Sequence, residues 1–443
     1  MDWILPAGTP IQFGGISQPI TILRGLGSGT QGQVYEAVYC GEPVAVKWYF
    51  PTCVERDPCL QQRLIESIQA TSPNDSFLWP MALLYKSQSL FELTNKWTNS
   101  FGYVMPLRPA GFIGAHEHVG GQLIISIQKI LFACFNLSVA FHQLHLKGLC
   151  YKDISIGNLF LNPSNGYILI CDNDNVDIEG RDLGNVLGTP GFMAPEIIMH
   201  RAKPGSNSDL FSLAVLLFRL LTKHDPLKGL LELDIKCMDE PARRRLYGED
   251  PVYIFDPHDD RNRPDPTEHS AVLSTWPIYP NIVRNLFNTT FSDGMHHPEL
   301  RVLTGQWMKS FAITLDQRLI CTHCGQENFQ DLYFPYPCWA CGLPLEKPIL
   351  LKTPYASIVA CEENELYIHH FNPTATLSIK SPIAVICLHP RDKTILGIKN
   401  LSHHSWSIFP FNDNVFELST QKSCNLSTIQ RIHTHVGPVD VLI

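Results

Sequence analysis

A multidomain α+β fold is predicted for this chain of 443 residues by three observations. Residues 1 to about 315 mix strand-like and helix-like apolar patterns. About 316–348 is short, rich in Cys, Gly and Pro, and has little apolar periodicity. From about 349 to 443, Val/Ile/Leu/Tyr runs alternate with Asn, Pro, Asp and Gly every eight to twelve residues, an all-β pattern. Hydrophobic residues at 44% and a mean hydropathy of -0.02 provide ample material for cores. The net charge of -8, with no long basic run, argues against nucleic acid or an anionic membrane as the main partner.

The elements follow in order. Residues 33–39 and 44–48 alternate as strands, while 60–70, 123–146 and 209–222 carry helical spacing. Residues 256–267, dense in Asp, Arg and Pro, are expected as a loop or insertion. In the last third, 357–360, 365–369, 383–388 and 394–398 read as short strands, with a turn expected over 396–402 ahead of Trp406. Met1-Asp2-Trp3 begins acidic and Pro6-Ala7-Gly8 soon interrupts, which does not fit a signal peptide. The longest apolar stretch, 210–221, contains Ser212 and Arg219 and is too short to span a bilayer, so no membrane insertion is expected. Of fourteen cysteines, ten are scattered singly, as at Cys134, Cys150 and Cys171, which fits a reducing cytoplasm.

Chemistry-bearing residues begin near the N-terminus. Gly27-Ser28-Gly29-Thr30-Gln31-Gly32-Gln33-Val34 is a G-x-G-x-x-G-x-V stretch between two strand-like runs. Glycines there allow close backbone approach to phosphate oxygens, although a plain hairpin turn gives the same letters. Val44-Ala45-Val46-Lys47 then puts a lysine on the next strand, within reach of phosphates, and Glu66 on the 60–70 helix is expected to pair with it. Further on, Tyr151-Lys152-Asp153-Ile154-Ser155-Ile156-Gly157-Asn158 is followed by Asp172-Asn173-Asp174 and by Gly188-Thr189-Pro190-Gly191-Phe192-Met193-Ala194-Pro195-Glu196. One carboxylate, Asp153, can accept a hydroxyl proton. Asn158 and Asp172 can hold metal ions, and the last stretch can seat a peptide.

This ordered set resembles the protein kinase superfamily from about residue 20 to 312, and the resemblance implies a bilobal fold with an N-lobe over about 1–105 and a C-lobe over about 106–315. By that resemblance Leu26, Gly27, Gly29, Gly32, Val34, Ala45 and Lys47 line the ATP site, with Met105 as gatekeeper, Pro106-Leu107-Arg108 as hinge and Phe160 as floor. It makes Asp153 the base, Asn158 and Asp172 the ligands of Mg (or Mn), and Thr189 a docking-loop hydroxyl that bonds near Asp153. Asp209 is expected to anchor the catalytic loop and Arg301 to pair with Glu196. The same resemblance implies, from the Gly188-Thr189 pair, Ser/Thr rather than Tyr substrates.

Three positions depart from the family pattern. Ser155 stands where a lysine usually neutralises the transferring phosphate, leaving Lys152, Arg181 or a second metal ion to compensate if activity is kept. Asn173 replaces an apolar ring, opposite a small residue expected at Ala70, and Asp174 replaces a glycine, so a flip of this segment is not expected as a switch. Thr189 is the sole hydroxyl residue between Asp172 and Glu196, and an activation segment ordered without phosphorylation is expected.

Cys321-Thr322-His323-Cys324-Gly325 and Cys338-Trp339-Ala340-Cys341-Gly342 form two C-x-x-C-G knuckles with thirteen residues between Cys324 and Cys338. Four thiolates so spaced fit a closed structural Zn site, which would supply the folding energy of so short a segment. Disulfides, a redox dithiol or iron stay open as alternatives. The order kinase domain (1–315), zinc ribbon (316–348) and β-sandwich or barrel-like domain (349–443) is similar to bacterial Ser/Thr kinases of tellurite-resistance-type systems. That likeness rests on the Asp-x-Asp motif, the insertion from Tyr253 to Pro264 and the ribbon, and it implies a cognate phosphatase and a von Willebrand A-domain protein as partners. Two other classes of function are carried alongside: a pseudokinase scaffold that binds nucleotide and recruits partners, and a small-molecule kinase.

Overall fold

The computed structural model describes residues 3–94, 100–181, 186–330, 336–412 and 414–443. By packing, the chain forms two compact units that interleave along the sequence. One comprises Met1–Ile125, Asn136–His269 and Phe287–Thr304; the other comprises Ser126–Phe135, Ser270–Leu286 and Gly305–Ile443.

The first unit opens with strands β1 (Pro10–Ile11), β2 (Ile20–Ser28), β3 (Gly32–Tyr39) and β4 (Glu42–Tyr49). Helices α1 (Pro51–Arg56) and α2 (Leu60–Ala70) come next, then β5 (Ala82–Tyr85), α3 (Gln88–Thr94) and β6 (Phe101–Pro106). The strands form one antiparallel sheet in the order β1-β2-β3-β4-β6-β5. β4 is central and buried on both faces from Val44 onward. Side chains alternate along a strand, so Val44, Val46 and Trp48 join the core with Ile20, Ile22, Tyr35 and Phe13. Ala45 and Tyr49 face the opposite way, into a second core with Leu60 and Leu64 of α2. That parity places Lys47 on the α2 side, buried between Ala45 and Tyr49.

Helix Ser206–Thr222 is almost wholly buried, and it starts at Gly205, where Ser208 Oγ accepts from the Gly205 N–H at 2.9 Å. The Asp/Arg/Pro-rich insertion is a loop, as expected, and buried Asn262 ties it down by donating to Leu227 O (2.9 Å) and Val252 O (2.6 Å).

In the second unit a short ladder pairs Arg318–Ile320 with Glu327–Phe329 and carries the cysteine knuckles. Beyond it lie two antiparallel sheets, of six and four strands, around one apolar core that includes Leu351, Ile386, Ile398, Trp406 and Val441. Two details differ from expectation. Of 365–369 only Glu365–Leu366 is strand, and Ile368–His370 turns as a 3-10 helix. Leu396–Asn400 is a strand, paired with Ala384–Leu388 and Ser423–Asn425, because Ile398 alternates into the core and Gly397 lets Cys424 O approach within 3.0 Å of where a Cβ would stand.

Glu327 of the ladder also completes helix Ile127–Leu146. Its carboxylate accepts from the Ile127 N–H at 2.6 Å and the Gln128 N–H at 3.2 Å. A carboxylate there satisfies donors that every helix start leaves open and faces the positive end of the helix dipole.

Candidate active site

The glycine-rich turn joins β2 to β3, closed by Gly29 N–H donating to Gly32 O at 2.9 Å. A Cβ at Gly27 or Gly29 would meet nothing within 4 Å, so open space lies over this backbone. Gly32 is different: a Cβ there would stand 2.2 Å from Trp48 O. It is a packing glycine. Register sets Val34 opposite Lys47, and Ala45 opposite Met105. Ala45 and Met105 are buried, with Val34, Leu107 and Phe160 packed against the same core, whereas Leu26 is exposed. The Arg108 guanidinium lies 4.2 Å from the Phe160 ring centroid.

Lys47 does not pair with Glu66. Its ammonium donates to Asp174 Oδ2 at 2.7 Å, with Gln31 Oε1 at 2.9 Å and Asp172 Oδ1 at 3.3 Å. Burial alone would pull the Lys47 ammonium down, but Asp174, Tyr103 and Asp172 hold it well above the usual lysine range. Burial would likewise raise the Asp174 carboxyl, yet Lys47 and the Tyr49 hydroxyl hold it below the usual carboxylate range. Tyr49 also donates to Asp174 Oδ2, while Asp174 Oδ1 is buried with no hydrogen-bond partner. Glu66 bonds Arg181 and Gln62 instead. Arg181 reaches Asp177 Oδ1 at 2.7 Å, and Lys152 Nζ donates to Asp177 Oδ2 at 2.8 Å. One ion network thus links α2, the activation segment and the catalytic loop. Lys152 and Arg181, the two side chains named beside a second metal ion to compensate for the lysine absent at buried Ser155, are both held in ion pairs with these carboxylates.

Asn173 is fully buried and donates to Leu78 O (2.8 Å) and Ile170 O (3.1 Å). Ala70, expected to face it, is exposed at the end of α2. The amide therefore clamps backbone carbonyls where an apolar ring was to pack. Preceding it, Asp172 takes a left-handed conformation, φ 52, and keeps a partly exposed carboxylate.

Asp153 Oδ1 accepts from Thr189 Oγ1 at 2.6 Å, and Asn158 Nδ2 donates to Asp153 O at 3.0 Å, leaving the Asn158 Oδ1 acceptor for another group. Burial raises the Asp153 carboxyl above its ordinary range, with the Thr189 bond opposing and the Asp172 charge adding to the rise. Gly188 makes the Thr189 position possible: its φ is 117, and a Cβ would stand 3.1 Å from Lys152 O. Asp209 accepts from the Tyr151 N–H (2.7 Å) and the Lys152 N–H (2.9 Å), which fixes the loop just ahead of Asp153. Arg301 grips Glu196 through two bonds of 2.8 Å.

The cysteine knuckles converge. Sγ atoms of Cys321, Cys324, Cys338 and Cys341 all lie within 4.8 Å of one another, with Cys321–Cys341 at 3.8 Å and Cys324–Cys338 at 3.6 Å. Such gaps exceed a disulfide bond of about 2.05 Å. They match the edge, about 3.8 Å, of a tetrahedron with Zn–S bonds of about 2.3 Å. Asn328 Nδ2, 3.5 Å from Cys338 Sγ, adds a donor to the thiolate shell. The donor set fits zinc.

The structure thus gathers a buried lysine on the central strand, the Asp153 carboxylate on a braced loop and the Thr189 loop hydrogen-bonded to that carboxylate. A family model for the protein kinase domain matches residues 20–247, a little over half of the chain, and the chain belongs to the protein kinase family. It is 23% identical over 218 residues to G protein-coupled receptor kinase 2 of Caenorhabditis elegans, covering 47% of this chain and 29% of that protein. With mouse protein kinase C delta type it shares 27% over 215 residues, 47% of this chain and 30% of the relative. With mouse cGMP-dependent protein kinase 2 it shares 34% over 132 residues, 28% and 17% respectively. The chain thus spans less than a third of the length of these relatives. Among the described residues no helix is long and apolar enough to cross a membrane.

Sequence reasoning missed Asp174 as the partner of Lys47, Tyr49 as a second donor to Asp174 with its ring centroid 5.3 Å from Lys47 Nζ, and Arg181 as the partner of Glu66. Strand parity was the available signal for Tyr49, which lies two residues from Lys47 and so on the same face.

Proposed function

We propose that this chain is a Ser/Thr protein kinase that uses ATP with Mg or Mn. The observation that carries the reading is the 2.6 Å bond from Thr189 Oγ1 to Asp153 Oδ1, which leaves Oδ2 with one long contact, 3.5 Å to Asn175, as the free proton acceptor. Asp153 takes the proton of a substrate hydroxyl as that oxygen bonds to the γ-phosphorus and the bond to the departing ADP breaks. Lys47 and the open glycine backbone face the phosphates. Bound through Asn158 and Asp172, a divalent cation supplies charge neutralisation at the phosphates. The raised Asp153 carboxyl suits a base, because its proton affinity moves toward the working pH.

The ribbon, read as a structural zinc site, and the β domain supply surface beyond the kinase domain proposed for 1–315. Taken with the Asp172-Asn173-Asp174 motif and the Tyr253–Pro264 insertion, they support a bacterial, cytoplasmic setting with a cognate phosphatase and a von Willebrand A-domain protein as partners. A scaffold that binds nucleotide without turnover is the second reading, favoured by Ser155 and by the engagement of Lys152 and Arg181 elsewhere. Incubation with labelled ATP, Mg²⁺ and generic protein substrates, beside Asp153→Ala, separates the two. Phosphoserine or phosphothreonine that vanishes in the variant supports the kinase; nucleotide binding with no label transferred supports the scaffold.

A further inference from the structure

A cavity of about 630 Å³ lies directly beside the docking loop, with Pro190, Gly191 and Met193 in its wall. Its size falls in the range of ligand-binding clefts, roughly 300–1,000 Å³. The charge of its lining runs against that of the chain. Five cationic side chains (Arg219, Lys223, Lys228, Arg243 and Arg244) face two carboxylates, Asp225 and Glu240, in a protein whose net charge is -8.

The wall is built. Arg219 donates to Gly191 O at 2.9 Å, stacks 4.2 Å from the Phe192 ring centroid and pairs with Asp225. The Tyr247 hydroxyl donates to the other side of that pair, reaching Asp225 Oδ2 at 3.2 Å. Gly191 has φ +81, and its Cβ would stand 3.0 Å from the Arg219 guanidinium, so loop and arginine fit only with glycine there. Two more cations are occupied at the rim, Lys228 by Glu232 (3.0 Å) and Arg244 by Glu249 (3.0 Å). Lys223 and Arg243 differ. Both are exposed at the cavity and form no ion pair among the described residues.

From this geometry we infer that the cavity is a substrate-selecting site for anionic side chains, carboxylate or phosphate, that flank the phosphoacceptor, with Lys223 and Arg243 as the contacting cations. The inference rests on the protein-kinase reading above for the word substrate, and on the cavity alone for the anion. Thr189 is hydrogen-bonded to the base, and the next residues of the same loop form the cavity wall. A peptide hydroxyl delivered to Asp153 therefore brings its neighbours past this opening. Steering by a concave cationic surface adds to contact energy and weakens with salt.

The test uses the full chain and two arms. In the first, peptides with one serine flanked by glutamate, alanine or lysine are compared by kcat/KM. In the second, the same peptides with alanine in place of the serine are labelled and their binding followed by anisotropy at low and high salt, which needs no catalysis. Two partly screened ion pairs predict a preference of roughly tenfold for the glutamate peptide over the alanine one. Lys223→Ala or Arg243→Ala should each remove part of that preference, and Lys223→Glu with Arg243→Glu should reverse it in favour of lysine. A phosphoserine-flanked peptide separates the two anions: tighter binding than with glutamate assigns the site to phosphate, equal binding to carboxylate charge. Acidic peptide that binds through Lys223 and Arg243 without being phosphorylated would sink the kinase reading and keep the anion site. Peptides phosphorylated or bound without regard to flanking charge would overturn the inference and leave the kinase standing.

Discussion

Replacing Asp174 with Asn tests the assignment of the Lys47 partner. The two charged groups are 2.7 Å apart, with side chains 5% and 1% exposed. At an effective dielectric of about 20 their attraction is about 6 kcal/mol, against which stands the cost of taking both from water. Asp174→Asn keeps an amide oxygen as acceptor but removes the charge that compensates buried Lys47, a loss of about 3–5 kcal/mol. Glu66→Gln breaks a pair whose members are 28% and 24% exposed, so about 1 kcal/mol or less is expected. Urea unfolding followed by tryptophan fluorescence would measure both, with a cycle built from Lys47→Met and Lys47→Met/Asp174→Asn. A coupling energy of about 2 kcal/mol or more is expected, because the double variant buries neither charge. Additive losses, or a Glu66→Gln variant as damaged as Asp174→Asn, would refute the reasoning. The pH range follows from the shifts. Asp174 is held below its ordinary value and Lys47 above its own, so the contribution is present between roughly pH 4 and 10.4. It is lost as pH falls through the lowered Asp174 value, or rises through the raised Lys47 value.

Three further outcomes are expected. Thr189→Val removes a bond that lowers the Asp153 carboxyl, so the acidic limb of the kcat/KM profile should move to higher pH; an unmoved limb would separate Thr189 from the base. Arg181→Ala unties Glu66 and Asp177 and should lower kcat while leaving nucleotide affinity nearly intact; unchanged turnover would mean the network is not what orders the activation segment. Cys324→Ser, or a strong chelator, should abolish the binding of one zinc per chain and loosen the 318–320/327–329 ladder; metal analysis and hydrogen exchange would show it, and full protection in metal-free protein would count against a structural zinc.

The architecture was largely written in apolar period: the strand pair around the glycine turn and α2 over 60–70 stand where alternation and spacing put them, and the last third is all-β although individual strands there differ from their expected bounds. Motifs with fixed local geometry were legible for the same reason. The C-x-x-C-G knuckles bring thiols together by their own turns, and Arg301 meets Glu196. What stayed hidden was partner choice. Whether Lys47 takes Glu66 or Asp174 depends on side-chain reach across a core, and no sequence spacing encodes that. The cavity beside Gly191 was equally invisible, since Lys223 and Arg243 are distant along the chain from the loop they flank.

The Glu327 cap has a consequence for synthesis. The first N–H of helix Ile127–Leu146 finds its acceptor in a residue 200 positions downstream. The Ser126 cap on the Lys129 N–H is local and can form as the helix emerges, whereas the Ile127 and Gln128 donors gain their acceptor only when the ladder strand is made. Fragments cut near residue 315 lack the acceptor and leave two donors open at a cost of about 1 kcal/mol or more. A boundary drawn after the ladder keeps the helix start and its acceptor on the same polypeptide.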